Sequence, residues 1–269
     1  MVEREIRFDD GAAYEQMMGI WSRIAGDVFL DWLAPRSGLN WIDVGCGNGA
    51  FTELIVARCA PVEVHGIDPS EGQLAFARTR LAGAAQFHRG DAMELPFPDD
   101  SFDAAVMALV IFFVPDPAKG VAEMTRAVRP GGTVSAYAWN IAGGGLPNAP
   151  IQAEMRAMGI TPLLPPNANV ARIDALRELW TSAGLEAVEA REIIVQRNFD
   201  CFDDYWTSSL LGGGIGPVIA AMPSGDVEML KARVCLRMPA DSAGRVTANA
   251  HANAVRGQMP MRARSGMGH

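Results

Sequence analysis

The fold of this chain is decided by the stretch Trp41-Ile-Asp-Val-Gly-Cys-Gly-Asn-Gly-Ala-Phe-Thr-Glu-Leu-Ile55. An apolar run ends in Asp43, three glycines follow within five positions, and a helix-like segment comes next. Glycines allow a tight backbone turn, and they let a ligand lie against main chain where a Cβ atom would collide. Open α/β sheets use such a strand, glycine turn and helix to bind nucleotide-like ligands at the carboxyl ends of their strands. Because Gly45-x-Gly47-x-x-Ala50 also fits the dinucleotide fingerprint, the motif by itself leaves the ligand open.

Strand-like and helix-like segments alternate through the part of the chain that surrounds this turn. Apolar runs predict strands at 40–44, 62–67, 85–88, 102–109 and 133–139. Helical spacing and capping residues predict helices at 49–60, 70–82 and 117–128, the last of them ended by Arg129-Pro-Gly-Gly132. This alternation predicts a parallel sheet with right-handed crossovers.

The two ends of the chain follow a different pattern. Apolar residues at three- and four-residue steps predict a helix over 12–33. After residue 140, a segment rich in glycine, proline and asparagine contains a short predicted helix. The remaining predictions are helices at 149–158, 173–183 and 200–238, the last broken by glycines and a proline, and strands at 185–198 and 244–255.

Composition and charge exclude several classes of protein. The chain is 49% hydrophobic, which allows a substantial core, and its net charge is −8 with only two lysines. Nucleic-acid binding needs clustered positive charge, so we do not expect it. No stretch approaches the ~20 apolar residues of a membrane span. The charged N-terminus lacks the apolar run of a secretory signal. Four cysteines without metal or redox spacing predict a reduced, cytoplasmic protein without a metal site, and the oligomeric state is left open.

Three aspartates narrow the choice of ligand. Asp68 follows the second predicted strand, 25 residues after Asp43 (68 − 43), and Asp91 follows the third, 23 residues later (91 − 68). Carboxyl ends of parallel strands lie at one edge of a sheet, so the three carboxylates are expected along the same edge. An acid in the place of Asp68 can accept hydrogen bonds from both ribose hydroxyls. The dinucleotide fingerprint does not require the third acid.

These residues resemble the class I S-adenosylmethionine-dependent methyltransferases, and within them the broad subgroup that includes quinone-biosynthesis methyltransferases. The resemblance rests on five stretches, in the family's order and spacing: Ile42-Asp-Val-Gly-Cys-Gly-Asn-Gly49, Gly66-Ile-Asp-Pro-Ser70, Gly90-Asp-Ala-Met-Glu-Leu-Pro-Phe-Pro-Asp-Asp-Ser-Phe-Asp103, Val114-Pro-Asp116 and Arg129-Pro-Gly-Gly132. It covers about residues 40–139.

The resemblance implies an α/β fold: a Rossmann-like, seven-stranded, mostly parallel sheet with an antiparallel last strand, helices on both faces and a helical cap. It implies a single methyltransferase domain over 1–269. Its implied parts are N-terminal cap helices at 1–38, a cofactor-binding core at 39–139, and cap or insertion segments over the acceptor site at 140–169 and 200–243.

The resemblance also implies roles for individual residues toward S-adenosylmethionine, whose demethylated product is S-adenosylhomocysteine. Asp43 would attract the ammonium group, Asp68 would bind the ribose, and Asp91 would accept from the adenine amino group. Backbone around the glycine turn would contact the methionine half, and Arg23 could pair with its carboxylate. The other implied cofactor residues are Tyr14, Gly45, Cys46, Gly47, Pro69, Ala92, Met93, Ala108 and Leu109.

The acceptor and the catalytic groups are less defined. Many relatives carry a histidine pair after the fourth strand, where this chain has Phe112 and Phe113, so no general base can be named. Two phenylalanines beside the methyl group would favour a small apolar or aromatic acceptor, and Trp139 could line the same pocket. Two alternatives stay open: an NAD-dependent oxidoreductase, and a protein that binds S-adenosylmethionine without turnover.

Overall fold

The structure, a computed structural model, describes residues 15–211 and 214–262. Its centre is a seven-stranded sheet with the strand order β3-β2-β1-β4-β5-β7-β6. The strands are β1 (Asn40–Val44), β2 (Glu63–Asp68), β3 (Gln86–Arg89), β4 (Phe102–Ala108), β5 (Val128–Trp139), β6 (Glu186–Phe199) and β7 (Val246–Gln258).

Strand direction confirms the expected fold class. Pairs β1–β2, β1–β4, β2–β3 and β4–β5 are parallel, whereas β7 runs antiparallel to both β5 and β6. The sheet is therefore Rossmann-like, with the antiparallel last strand inserted between β5 and β6. The doubly wound dinucleotide fold has no need of such a strand.

Helices cover both faces of the sheet, and further helices lie between β6 and β7. They are α1 (Ile20–Leu33), α2 (Ala50–Cys59), α3 (Glu71–Arg80), α4 (Pro117–Ala127), α5 (Ala149–Ala157), α6 (Ile173–Ser182), α7 (Phe202–Leu210), α8 (Gly216–Ala220) and α9 (Ser224–Arg237). A π-helical turn, Glu15–Gly19, precedes α1, and 3-10 turns occupy Ile111–Phe113 and Ala168–Ala171. No helix in the described ranges is long and apolar enough to cross a membrane.

The start of β5 differs from the sequence prediction. Residues 129–132, predicted to end the preceding helix, belong to the strand, and the pairing with β4 shifts register between Phe102 and Ala104. The reason is a partner distant in sequence: the Gly131 N–H donates to the Met259 carbonyl at 3.0 Å, and the Met259 N–H donates to Gly132 at 2.9 Å. These hydrogen bonds hold residues 129–132 in the strand.

Helix α1 packs its aromatic stripe onto the sheet. The ring centroids of Phe29 and Tyr137 are 4.8 Å apart, and Trp21 meets Trp139 edge-on at 6.5 Å. The Tyr137 hydroxyl donates to the Ser22 carbonyl at 3.1 Å. Buried aromatic pairs of this kind contribute about 0.5–1.5 kcal/mol beyond their area. We call the side of the sheet that α1 covers the α1 face.

A buried carboxylate ties α5 to α9. Glu154 lies in α5 with only 4% of its side chain exposed, and it pairs with Arg233 at 2.8 Å and with Arg237. The Tyr205 hydroxyl of α7 donates to the Pro147 carbonyl at 3.3 Å. The segment after β5 and the helices between β6 and β7 are thus joined to each other.

Substituting Glu154 by alanine is expected to lower the free energy of unfolding by about 2–3 kcal/mol, because two arginines lose a buried partner. Urea titration of the purified protein measures the change. The control is Asp203→Ala: Asp203 pairs with Lys231 at 2.7 Å but is largely exposed, so its loss should cost no more than ~0.5 kcal/mol. Equal losses in the two variants would contradict the role assigned to Glu154.

Candidate functional site

The glycine turn lies at the carboxyl edge of the sheet, between β1 and α2. The N–H groups of Gly45 and Cys46 both donate to the Ile67 carbonyl of β2, at 2.7 and 3.1 Å. Gly45 has φ +76°, and a Cβ atom there would lie 2.5 Å from both Cγ atoms of Val110. Gly47 has φ +52°, and the nearest atom to its Cβ position is 3.9 Å away. The turn therefore packs tightly against Val110 at Gly45, whereas the space around the Cβ position of Gly47 is open.

Asp68 is anchored against this turn. One carboxylate oxygen accepts from the Gly47 N–H at 3.0 Å and the other from the Ser70 N–H at 2.8 Å. Burial raises the pKa of Asp68, and the two backbone hydrogen bonds partly offset that rise. Each oxygen keeps a second lone pair, so the anchored carboxylate is able to accept from two hydroxyl groups.

Asp43 is completely buried beneath the turn. The Thr52 hydroxyl of α2 donates to the Oδ2 atom of Asp43 at 2.7 Å, while the Oδ1 atom has no hydrogen-bond partner in the described part of the chain. Burial raises the pKa of Asp43 to about 7, and the nearby charge of Asp68 adds to the rise. A buried carboxylate oxygen without a donor is a costly arrangement that a bound cation would relieve.

The predicted adenine residues lie along the same edge. The Gly90 N–H donates to the Asp68 carbonyl at 3.2 Å, which brings the ends of β2 and β3 together. Asp91 is exposed, and its carboxylate accepts from the Met93 N–H at 2.8 Å. Pro69 is exposed as well, while Ala92 and Met93 are half-buried. One carboxylate oxygen of Asp91 thus stabilises the turn that contains this residue, and the other oxygen is able to accept from a ligand.

Arg23 has a protein partner. It pairs with Glu15, which also pairs with Arg80 at 2.5 Å and accepts from the Asn48 amide at 2.9 Å. Burial raises the pKa of Glu15, but the hydrogen bonds and charges of Arg80 and Arg23 outweigh it and hold that pKa below its usual value. The expected pairing of Arg23 with a ligand carboxylate stays a prediction. Tyr14 lies outside the described residues.

The remaining residues predicted to bind the cofactor have no exposed polar side chain that could donate to or accept from it, so their backbone is the part available for contact. Cys46 is buried, its Sγ lies against Gly66, and burial raises the pKa of its thiol well above the usual range, so the thiol stays neutral. Leu109 has φ +61°, and its N–H donates to the Tyr137 carbonyl at 2.8 Å. Ala108, the last residue of β4, is half-buried. The hydrogen bond of Leu109 joins the end of β4 to β5, and the next residue, Val110, packs against Gly45 of the glycine turn.

The acceptor candidates are aromatic and mostly buried. The rings of Phe112 and Phe113 are 4.8 Å apart, with Phe112 buried and Phe113 half-buried. Trp139 is 1% exposed, and its Nε1 has no hydrogen-bond partner. In the described part of the chain, no group of three or more His, Cys, Asp or Glu side chains is arranged to hold a metal ion.

Sequence reasoning missed Glu15 and Thr52. Thr52 lies on the buried side of α2 between Phe51 and Leu54, and a polar residue among apolar neighbours signals a buried partner. Glu15 carried no comparable signal, because its partners Arg23, Asn48 and Arg80 are eight or more residues away in sequence.

Comparison with known proteins identifies the class. A family model described as a methyltransferase domain matches residues 42–136, the segment that runs from β1 through most of β5. With the sheet order and the glycine turn, this match confirms the resemblance to the class I S-adenosylmethionine-dependent methyltransferases over these residues.

Individual relatives agree with this class. A demethylmenaquinone methyltransferase of Desulfitobacterium hafniense is 38% identical over 105 residues, which cover 37% of this chain and 42% of the relative. The YcgJ protein of Bacillus subtilis is similar in structure, with a TM-score of 0.58, 14% identity, and coverage of 88% of this chain and 98% of the other.

A second solved structure contains the cofactor of the class. The Haemonchus contortus phosphoethanolamine N-methyltransferase 2 in complex with S-adenosyl-L-methionine has a TM-score of 0.56 and 18% identity, covering 93% of this chain and 56% of that one. At these identities the structures show a shared fold. The chain spans about two fifths of the length of the first curated relative it matches.

Proposed function

We propose that this protein transfers a methyl group from S-adenosylmethionine to a small aromatic acceptor. The observation that carries the proposal is the buried Asp43 Oδ1 without a partner, directly beneath a glycine turn that is open at Gly47. An ammonium group above the turn would supply the missing donor. A dinucleotide places a pyrophosphate at this position, and a buried carboxylate would repel it.

The residues at the edge fit the two halves of this cofactor. Asp68 would bind the ribose hydroxyls, and Asp91 with the Ala92 N–H would recognise the adenine. Pro69 and Met93 would hold the adenine plane. On the methionine side the backbone at Gly45, Cys46 and Gly47 would lie against the ligand, with Ala108 and Leu109 beside the sulfonium and with Arg23 and Tyr14 toward the carboxylate.

The protein would accelerate this reaction mainly by positioning the methyl donor and the acceptor relative to each other. S-adenosylmethionine supplies an activated methyl group when bound. The rigid turn and the end of β4 would hold donor and acceptor at roughly 3–3.5 Å, in line, which supplies much of the acceleration. Phe112, Phe113 and Trp139 would exclude water and offer an apolar wall. No general base is assigned, since only some acceptors require one.

We assign the regions of the chain on the same basis. Residues 39–139 would form the cofactor-binding core, and residues 1–38 would cover the methionine half. Segments 140–169 and 200–243 would cap the acceptor, supported by the Glu154 and Tyr205 contacts that join them. Caps and loops are where proteins of one fold differ most in substrate.

Isothermal titration with S-adenosylmethionine, S-adenosylhomocysteine and NAD tests the cofactor. We expect both sulfur nucleosides to bind and NAD to give no heat. Binding of NAD alone would overturn the proposal in favour of an oxidoreductase. Transfer of labelled methyl to a panel of phenols, amines and quinone precursors tests turnover. Cofactor binding without transfer to any of them would favour a non-catalytic role.

Substituting Asp68 by alanine is expected to weaken S-adenosylmethionine binding by roughly 30-fold, about 2 kcal/mol, because two ribose hydrogen bonds to a charged group are lost. Titration calorimetry measures the change. Asp241 provides the matched control, since its carboxylate also accepts backbone N–H groups, from Ala243 and Arg245, in a distant turn. Asp241→Ala should bind like the wild type. Unchanged affinity in Asp68→Ala would remove the assigned ribose contact.

A further inference from the structure

Arg197, near the end of β6, is a half-buried cation whose Nη1 atom has no hydrogen-bond partner among the residues that the structure describes. This atom is buried, and the guanidinium lies 4.4 Å above the ring of Phe199. That ring meets Tyr205 of α7 edge-on at 5.3 Å, which places Arg197 under the helices between β6 and β7. Burial lowers the pKa of Arg197. Covering a guanidinium without an opposite charge is costly, so the position calls for an anionic partner.

The strand register places Arg197 and Trp139 on the same face of the sheet. Trp139 lies opposite Ala252 of β7, and Ala252 lies opposite Ile193 of β6. Directly paired residues point to the same side of a sheet, and side chains alternate along a strand, so Ile193 and Arg197 share the side of Trp139. This is the α1 face, because Trp139 contacts Trp21 there.

Between Trp139 and Arg197 this face of the sheet carries only apolar side chains, namely the β7 alanines and, on β6, Ile193 and Val195. Arg197 lies opposite Ala248, and the β7 residues that point to this face between the two levels are Ala248, Ala250 and Ala252, all buried. Four strand residues separate the levels, which corresponds to roughly 13 Å. This floor is flat and apolar and about as long as a substituted two-ring aromatic molecule. We call it the alanine floor.

Each end of the alanine floor has an unsatisfied donor. Trp139 Nε1 and Arg197 Nη1 are both buried, and neither has a hydrogen-bond acceptor in the described ranges 15–211 and 214–262. Buried polar groups are normally paired, so two such donors on one surface indicate a ligand with acceptor atoms. An arginine fork matches a carboxylate in geometry and in charge.

The cofactor does not supply the anionic partner that Arg197 needs. In the order β1-β4-β5-β7-β6, Arg197 is four strands away from the glycine turn, roughly 19 Å. The methionine carboxylate above the turn is therefore out of reach of Arg197. The distance suits the far end of a molecule whose other end lies beside Phe112.

We propose that the methyl acceptor is an aromatic acid, whose ring lies on the alanine floor and whose carboxylate pairs with Arg197. This rests on the proposed function and specifies its substrate class. Because the alanines are buried, the part of the protein that covers them must move to admit the acceptor. An uncharged quinone would leave Arg197 unpaired, so the proposal separates this chain from the demethylmenaquinone methyltransferase it matches in part.

The experiment compares 2-naphthoate with its uncharged isostere 2-naphthamide, titrated into the full chain saturated with S-adenosylhomocysteine. The wild type is expected to bind naphthoate at least tenfold tighter than naphthamide. Arg197→Met should abolish this preference, and Arg197→Lys should keep part of it because the charge stays. The matched control is Arg191→Met, since Arg191 is an exposed arginine on the same strand and face. It should retain the full preference.

Titration of S-adenosylmethionine into every variant separates folding and cofactor binding from acceptor recognition. Unchanged cofactor affinity in Arg197→Met shows that the variant is folded and that any loss concerns the acceptor alone. Equal binding of the two probes to the wild type, no binding of either at millimolar concentration, or a preference that survives in Arg197→Met would overturn the aromatic-acid proposal. Failure of the wild type to bind S-adenosylmethionine would instead refute the proposed function.

Discussion

Substituting Gly45 by alanine is expected to lower the free energy of unfolding by about 3–4 kcal/mol and to abolish S-adenosylmethionine binding. A Cβ atom at this position would lie 2.5 Å from both Cγ atoms of Val110, and φ is +76°. Overpacking a tight contact costs about 1–3 kcal/mol, and a left-handed conformation costs a further 1–2 kcal/mol for alanine. Urea titration and calorimetry measure the two effects.

The substitution Gly47→Ala separates the cost of a positive φ from the cost of a steric clash with a neighbouring side chain. Gly47 also has a positive φ, but its Cβ position is open, so we expect a loss of only about 1–2 kcal/mol. A double-mutant cycle with Val110→Ala should recover about 1–2 kcal/mol in the Gly45→Ala background, because it removes the colliding atoms. If Gly45→Ala and Gly47→Ala cost the same, or if Val110→Ala gives no recovery, the packing of the turn is not as described.

Substituting Asp43 by asparagine is expected to stabilise the ligand-free protein at pH 8 while weakening S-adenosylmethionine binding by roughly 150-fold, about 3 kcal/mol. The affinity falls because the buried partner of the ammonium loses its charge. The stability rises because asparagine still accepts from Thr52 without the cost of a buried charge. Thermal unfolding and calorimetry on the same sample measure both changes.

The pH dependence follows from the pKa of Asp43, raised from 3.8 to about 7 by burial. The folded state holds this proton more tightly than the unfolded state, so the associated stability is complete below pH 4 and is lost as pH rises through 7. The loss amounts to roughly 2–4 kcal/mol and should vanish in Asp43→Asn. Cofactor affinity of the wild type should increase over the same range, as the carboxylate ionises.

Asp103→Asn is the control for Asp43. Asp103 is also a buried aspartate, on neighbouring β4, but it lies at the amino edge, where it accepts from the Asn40 N–H at 2.7 Å and pairs with Arg129. Its substitution should destabilise the protein and leave cofactor affinity unchanged. A flat dependence of wild-type cofactor affinity between pH 5 and 8 would count against ionised Asp43 as the ammonium partner.

The strands and helices were predictable because each one leaves a pattern of apolar residues within a short local stretch of sequence. The second strand was predicted at 62–67 and spans Glu63–Asp68, and the broken helical stretch predicted at 200–238 contains α7, α8 and α9. Each of these elements buries one face, so apolar residues recur at a regular spacing in its local sequence. The start of β5 was not predictable, since its extended backbone depends on pairing with Met259.

The sequence by itself determined the class of the protein, the edge of the sheet that holds the glycine turn, and the presence of Asp43, Asp68 and Asp91 there. Local periodicity and the common direction of parallel strands suffice for that. Only the tertiary structure decided which polar atoms are satisfied. Arg23 pairs with Glu15, Asp43 accepts from Thr52 on one oxygen, and the Nη1 atom of Arg197 has no partner among the described residues. Hydrogen-bond partners are chosen by packing between elements distant in sequence, and no local pattern records that choice.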